Sequence, residues 1–189
     1  MTKMFLIAVA FGMFALGVIG DYFKLLPRRV MQLAEYAAFG KPLIESADWT
    51  NKTKLFDRDA KGASIVMLGD SLTAYANWNV LLQRLDVLNY GIEGDVSAGL
   101  LQRVEDSNLH GKTIFIMIGL NDISNHGPVN KINDNVLKIV SKLGADNTVY
   151  LQSTLMTRSG ALNAQIGELN DVGKRTCSVN KCRFIDLNS

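Results

Sequence analysis

The chain has 189 residues, of which 48% are hydrophobic and 20% charged, with a formal net charge of +2. That length holds one α/β domain with a substantial core and leaves no room for two full ones. The charge is nearly balanced and its basic residues are scattered, so nucleic acid is not an expected partner.

The first segment, Met4 to Gly20, carries no charged residue and follows Lys3. It is at the short end of a membrane span and a little long for the apolar part of a signal peptide. A hydrophobic helix is expected, acting as signal peptide or transmembrane anchor over residues 1–20; a buried core helix is the alternative. On the first reading the protein is membrane-anchored or exported, with the membrane as a partner through this segment. Orientation stays open. Lys24, Arg28 and Arg29 favour a cytoplasmic flank by the positive-inside rule. Cys177 and Cys182, the only cysteines, suit a bridged short loop in an oxidising compartment. Two unrelated thiols are the other reading of that pair, and no second pair of ligands accompanies it for zinc.

Residues 21–60 read as a helical and irregular connector. Leu25, Leu26, Val30, Leu33, Tyr36 and Ala37 have helical spacing, and Gly40-Lys41-Pro42 ends that run. The stretch from Ser46 to Ala60 is polar and is expected to run over the surface, pinned by Trp49, Leu55 and Phe56. Residues 61–189 read as the domain proper. Five short apolar runs are expected as strands: Ser64–Leu68, Asp86–Tyr90, Lys112–Ile118, Asn147–Ser153 and Cys182–Leu187. Helices are expected between them at Trp78–Leu85, Ser97–Val104 with Ser97 as its N-cap, Pro128–Leu143, and Leu162–Thr176. Strands alternating with helices predict a parallel sheet with helices on both faces. The flavodoxin-like order 2-1-3-4-5 fits, and it places a site beyond the C-terminal strand ends.

The loops at those ends begin at Gly69, Gly91, Gly119 and Ser153. In Gly69-Asp70-Ser71-Leu72-Thr73, a serine at the start of a helix faces the sheet edge, near backbone N–H groups that favour developing negative charge. Taken alone, Ser71 reads first as a helix N-cap. The loop is not the G-x-S-x-G elbow of α/β-hydrolases, since Met67 and Thr73 stand at the flanking positions. The second loop is Gly91-Ile92-Glu93-Gly94-Asp95, where glycine lets an N–H approach a ligand. The third is Gly119-Leu120-Asn121-Asp122, and the Asn121 carboxamide suits an oxyanion. A hydroxyl, a glycine N–H and a carboxamide at three adjacent strand ends are the parts needed for acyl transfer.

These three blocks, GDSLT at 69–73, GIEGD at 91–95 and GLND at 119–122, resemble the SGNH hydrolases, also called GDSL esterases and lipases. The likeness runs from about Ile65 to the end. It looks nearest the bacterial acylhydrolases akin to platelet-activating-factor acetylhydrolase. The resemblance implies a three-layer α/β/α sandwich and a serine ester hydrolase acting on small acyl or acetyl esters, with no cofactor and no metal. It implies Ser71 as nucleophile, with its own N–H, the N–H of Gly94 and the Asn121 side chain forming the oxyanion hole.

One block departs from the pattern. The family carries D-x-x-H after the fifth strand, with His as base and Asp orienting it. Here Phe184-Ile185-Asp186-Leu187 is followed by Asn188 and Ser189 alone. Truncation of the chain before D-x-x-H is the expected account, and impaired activity is its consequence. His110 is expected at the far sheet edge. His126 lies on the near edge, as a surface or rim residue. Asp186 is expected inside the last strand. The competing function is a non-catalytic, membrane-tethered ligand-binding module on the same scaffold.

Overall fold

Five apolar runs separated by helices become five parallel strands in the computed structural model, which describes residues 47–189. The apolar segment 1–20 and residues 21–46 of the connector lie outside the described residues. Ala47–Ser189 forms one compact unit. It opens with helix α1 (Ala47–Asp59) and a short 3-10 turn, Ala60–Gly62. Strand β1 (Ile65–Gly69) leads into two one-turn helices, α2 (Ser71–Ala74) and α3 (Trp78–Leu81). Then come β2 (Val87–Gly91), α4 (Ser97–Glu105), β3 (Thr113–Met117) and α5 (Leu120–Ser124). The chain continues through α6 (Val129–Leu143), β4 (Thr148–Gln152), α7 (Gly160–Val179) and β5 (Cys182–Ile185).

The sheet order is β2-β1-β3-β4-β5, all parallel, as the sequence predicts. Parallel strands covered on both faces must be apolar along their length rather than alternating. Val66, Leu68, Ile114, Ile116, Val149 and Leu151 accordingly share one core with Leu100 and Val104 of α4 and Val136, Ile139 and Val140 of α6. A smaller cluster joins Ile123 of α5, Val129 and Ile132 of α6, and Ile166 and Leu169 of α7.

Several elements differ from expectation. Residues 47–59, part of the helical and irregular connector, form a helix, and Trp49 is buried in it as the pinning role requires; the polar residues around it weaken the apolar period. The helix expected over Trp78–Leu85 stops at Leu81, because no residue of α3 is buried and a helix without a packed face gains little by extending. Gln83 then takes a positive φ of 51°, and Arg84 folds back to pair with Asp86 at 2.6 Å. Ser97 is the first helical residue of α4 rather than its N-cap, which is Val96 without a capping side chain. The capping role passes to Asp122 in the first turn of α5, whose carboxylate accepts the Ser97 N–H at 2.9 Å and its hydroxyl at 2.6 Å.

Cys177 and Cys182 form a disulfide across the turn between α7 and β5, so the reading as unrelated thiols falls. Asp186 lies just past β5 rather than within it. Among the described residues no helix is long and apolar enough to cross a membrane.

Candidate active site

The register of the sheet brings the three motif loops together. Gly69 ends β1 directly beside Gly91 of β2 and Met117 of β3. A side chain at Gly69 would meet the Thr73 hydroxyl at 2.2 Å and the Met117 carbonyl at 2.5 Å. One at Gly91 would lie 2.3 Å from the backbone nitrogen of Ala74. The motif glycines are therefore where α2 crosses close over the ends of β1 and β2. Two side chains pin α2 there. Asn89 donates its amide to the carbonyls of Ala74 and Ala76 at 3.0 and 3.1 Å. The Trp78 indole donates to the Thr73 carbonyl at 2.9 Å.

Within this frame Asp70, not Ser71, caps α2: its carboxylate accepts the Leu72 N–H at 2.9 Å. The alternative reading of Ser71 as the cap is thereby corrected. Ser71 is the first helical residue, half-buried, and its hydroxyl is engaged by no hydrogen bond among the described residues. Gly94 sits in the turn after β2, closed by the Asp95 N–H on the Ile92 carbonyl at 3.2 Å. Its φ of 74° explains why glycine stands there. Asn121 is on α5, which starts from Gly119 in the left-handed region at φ 119°. The Asn121 amide donates to the Asp95 backbone carbonyl at 2.9 Å. That bond joins the second and third loops and leaves the amide a second N–H to offer.

Three carboxylates lie around these loops, Asp70 and Asp95 buried and Asp122 half-buried. Burial pushes the Asp70 carboxyl up to about 6, helped by the charges of Asp95 and Asp122 and opposed by the Leu72 N–H. Burial likewise raises Asp122 against the Ser97 hydrogen bonds. It raises Asp95 against the pull of Arg103.

Arg103 is the residue that the sequence reading missed. It is fully buried. Its Nε donates to Asp95 Oδ2 at 2.8 Å, Nη1 to the Tyr90 carbonyl at 2.6 Å, and Nη2 to the Gly69 carbonyl at 2.9 Å. The guanidinium also stands 4.8 Å from the Tyr90 ring centre. A signal was present: Arg103 is three residues after Leu100 and one before Val104, both core residues of α4, so helical spacing turns it toward the sheet.

The histidines lie elsewhere. His110, in the loop that leads into β3, pairs through Nδ1 with Asp146 at 3.0 Å, at the edge where β3 and β4 begin. His126 is exposed, with φ 62°, just past α5. Asp186 accepts the Asn188 N–H at 2.9 Å. The loop after β4 is also tied down, with Thr154 and Asn170 exchanging bonds at 2.8 and 2.9 Å. Among the described residues no cluster of His, Cys, Asp and Glu is arranged to hold a metal.

A five-stranded parallel α/β domain with a free serine hydroxyl, a positive-φ glycine and a held carboxamide at adjacent strand ends defines a class, that of the doubly wound α/β scaffolds with a site at the C-terminal strand ends. Residues 67–189 match the model of the GDSL-like Lipase/Acylhydrolase family, and the chain belongs to that family. Among solved structures it is similar to a protein of Streptococcus pneumonia described as a platelet activating factor, at 21% identity over 86% of this chain and 82% of that one, with a TM-score of 0.70. It is similar to an acylhydrolase from Bacteroides fragilis NCTC 9343, at 23% identity, covering 76% and 79%, with a TM-score of 0.60. It is also similar to a lipolytic protein of the G-D-S-L family from Veillonella parvula DSM 2008, at 20% identity, covering 66% and 77%, with a TM-score of 0.58. At these identities the neighbours show the fold. No curated protein matches the chain in sequence. The family is one of ester hydrolases, and small-molecule esters are its substrates.

Proposed function

We propose that this chain is a serine ester hydrolase of small acyl or acetyl esters, with Ser71 as nucleophile. The Ser71 N–H, the Gly94 N–H and the second N–H of Asn121 receive the oxyanion. The observation that carries this reading is the division of labour in the first motif. Asp70 takes the capping bond, so the Ser71 hydroxyl is left uncommitted at the helix start. Attack forms a bond from Ser71 Oγ to the acyl carbon, the hydroxyl proton leaves to a base, and the alcohol departs with a proton. Water then hydrolyses the acyl-enzyme.

Neither His110, bonded to Asp146, nor the exposed His126 is placed as that base. Loss of one triad member costs on the order of 10⁴ in rate. The test is hydrolysis of p-nitrophenyl acetate, corrected for the uncatalysed rate. The enzymatic fraction is lost in Ser71→Ala and falls about a hundredfold in Asn121→Ala. A rate unchanged in Ser71→Ala would overturn the assignment. Residues 1–20 act as export signal or membrane anchor, placing the domain outside the cytoplasm. The Cys177–Cys182 disulfide supports that location.

A further inference from the structure

We propose that Arg103 is a positioning residue for the oxyanion hole, acting through Asp95 on both Gly94 and Asn121. The inference rests on the site reading above and assigns a role to a residue outside its three motifs.

The argument starts from what a buried guanidinium requires. A desolvated charge costs several kcal/mol unless it is paired and hydrogen-bonded. Arg103 meets that need entirely from the site framework: a carbonyl at the end of β1, a carbonyl at the end of β2, and the carboxylate that follows Gly94. The planar fork of five N–H donors fits three partners at fixed angles, which an ammonium cannot reproduce. Gly69 and Tyr90 are tied to the same rigid group as Asp95, so the loop between Gly91 and Asp95 has a fixed height above the sheet. Its two outputs are the Gly94 N–H and the Asp95 carbonyl. That carbonyl holds the Asn121 amide at 2.9 Å. One side chain on α4 therefore sets two of the three proposed oxyanion donors. It also braces the strand end that leads into Ser71.

The same buried contacts could serve stability alone, so the test must separate the two roles. Ser71 is labelled with a fluorophosphonate and followed by intact mass, which reads slow reactions over days. The serine oxygen bonds to phosphorus, fluoride leaves and the hydroxyl proton goes to solvent. Arg103→Lys keeps the charge beside Asp95 and loses the fork; it is expected to slow labelling about tenfold or more, as loss of an oxyanion donor does. Asn121→Ala alone is expected to slow it comparably. Together they are expected to slow it no more than about threefold beyond the worse single variant, because both act on one group of donors.

Val104→Ala, on the same helix and fully buried in the core, controls for lost stability; its labelling rate is expected to stay within about twofold of wild type when assayed below its melting transition. Asp95→Asn is judged by the same non-additivity and serves if Arg103→Lys does not fold. Multiplicative effects of Arg103→Lys and Asn121→Ala overturn the positioning role and leave the site reading intact. So does a Val104→Ala loss as large as that of Arg103→Lys. No label on the wild type, or label that persists in Ser71→Ala, overturns the site reading itself.

Discussion

Asp70 carries an unusual load for a motif residue. It caps α2 while only 2% exposed, and the carboxylates of Asp95 and Asp122 stand near enough to disfavour its charge. Its carboxyl is raised from 3.8 to about 6. The folded state therefore holds the proton more tightly than the unfolded chain. The stability it contributes is full below about pH 4 and is lost as pH rises through about 6. Asp95 and Asp122 are raised by burial and act in the same sense. Asp86 is held low by Arg84 and Ser64 and acts oppositely, but only below about pH 4. The melting temperature of the wild type should therefore fall between pH 5 and pH 7. Asp70→Asn keeps an acceptor for the Leu72 N–H and removes the charge. It should be more stable than wild type at pH 7.5, by up to about 3 kcal/mol, and should flatten that slope. Thermal melts at several pH values check both. A wild-type melting temperature that rises from pH 5 to pH 7 with no change of slope in the variant would show that Asp70 titrates normally.

The elements were legible where burial and sequence period agree. All five strands are apolar runs of the length a doubly covered parallel sheet needs, and α6 keeps its apolar face over four turns, so both fall within one or two residues of expectation. Where packing decides, the sequence said less. The run Val80-Leu81-Leu82 looks helical and is exposed, so α3 ends after one turn. Ser97 looks like a cap, but Asp122 reaches it from α5. The site divides the same way. Ser71, Gly94 and Asn121 stand in local motifs, whereas Arg103 matters through partners 8, 13 and 34 residues away. The Cys177–Cys182 bridge is a matter of elements too. It joins the end of α7 to the start of β5, at the sheet edge opposite the motif loops. Closing so short a loop is worth about 2 kcal/mol by chain entropy. Cys177→Ser with Cys182→Ser should lower unfolding stability by about that amount in denaturant titrations, while Ser71 labelling at low denaturant stays within about twofold. A loss of labelling without a loss of stability would mean that the bridge acts on the site.

At the scale of the whole chain, what stands out is where the imidazoles are. The sequence holds two histidines. His110 is bonded to Asp146 at the edge where β3 and β4 begin, and His126 is exposed beyond α5. The groups proposed to receive the oxyanion, by contrast, stand in a tied framework: three strand ends, a capped α2, a buried Arg103 and a held Asn121. With neither His110 nor His126 placed beside Ser71, the proposed nucleophile should respond to a base supplied from solution. Imidazole titrates near neutrality and is the group a triad normally positions. Added imidazole should therefore raise the Ser71-dependent rate of p-nitrophenyl acetate hydrolysis several-fold, in proportion to its unprotonated form. It should not recover the full 10²–10⁴ that a positioned base contributes on the order of magnitude, because a diffusing base arrives without preset orientation. Ser71→Ala measures the imidazole's own reaction with the ester, and the difference is the rescue. If the two slopes are equal, the Ser71 hydroxyl is not the group being activated. If wild type is fast without imidazole and His126→Ala abolishes that rate, His126 reaches Ser71 in solution and the chain carries its own base.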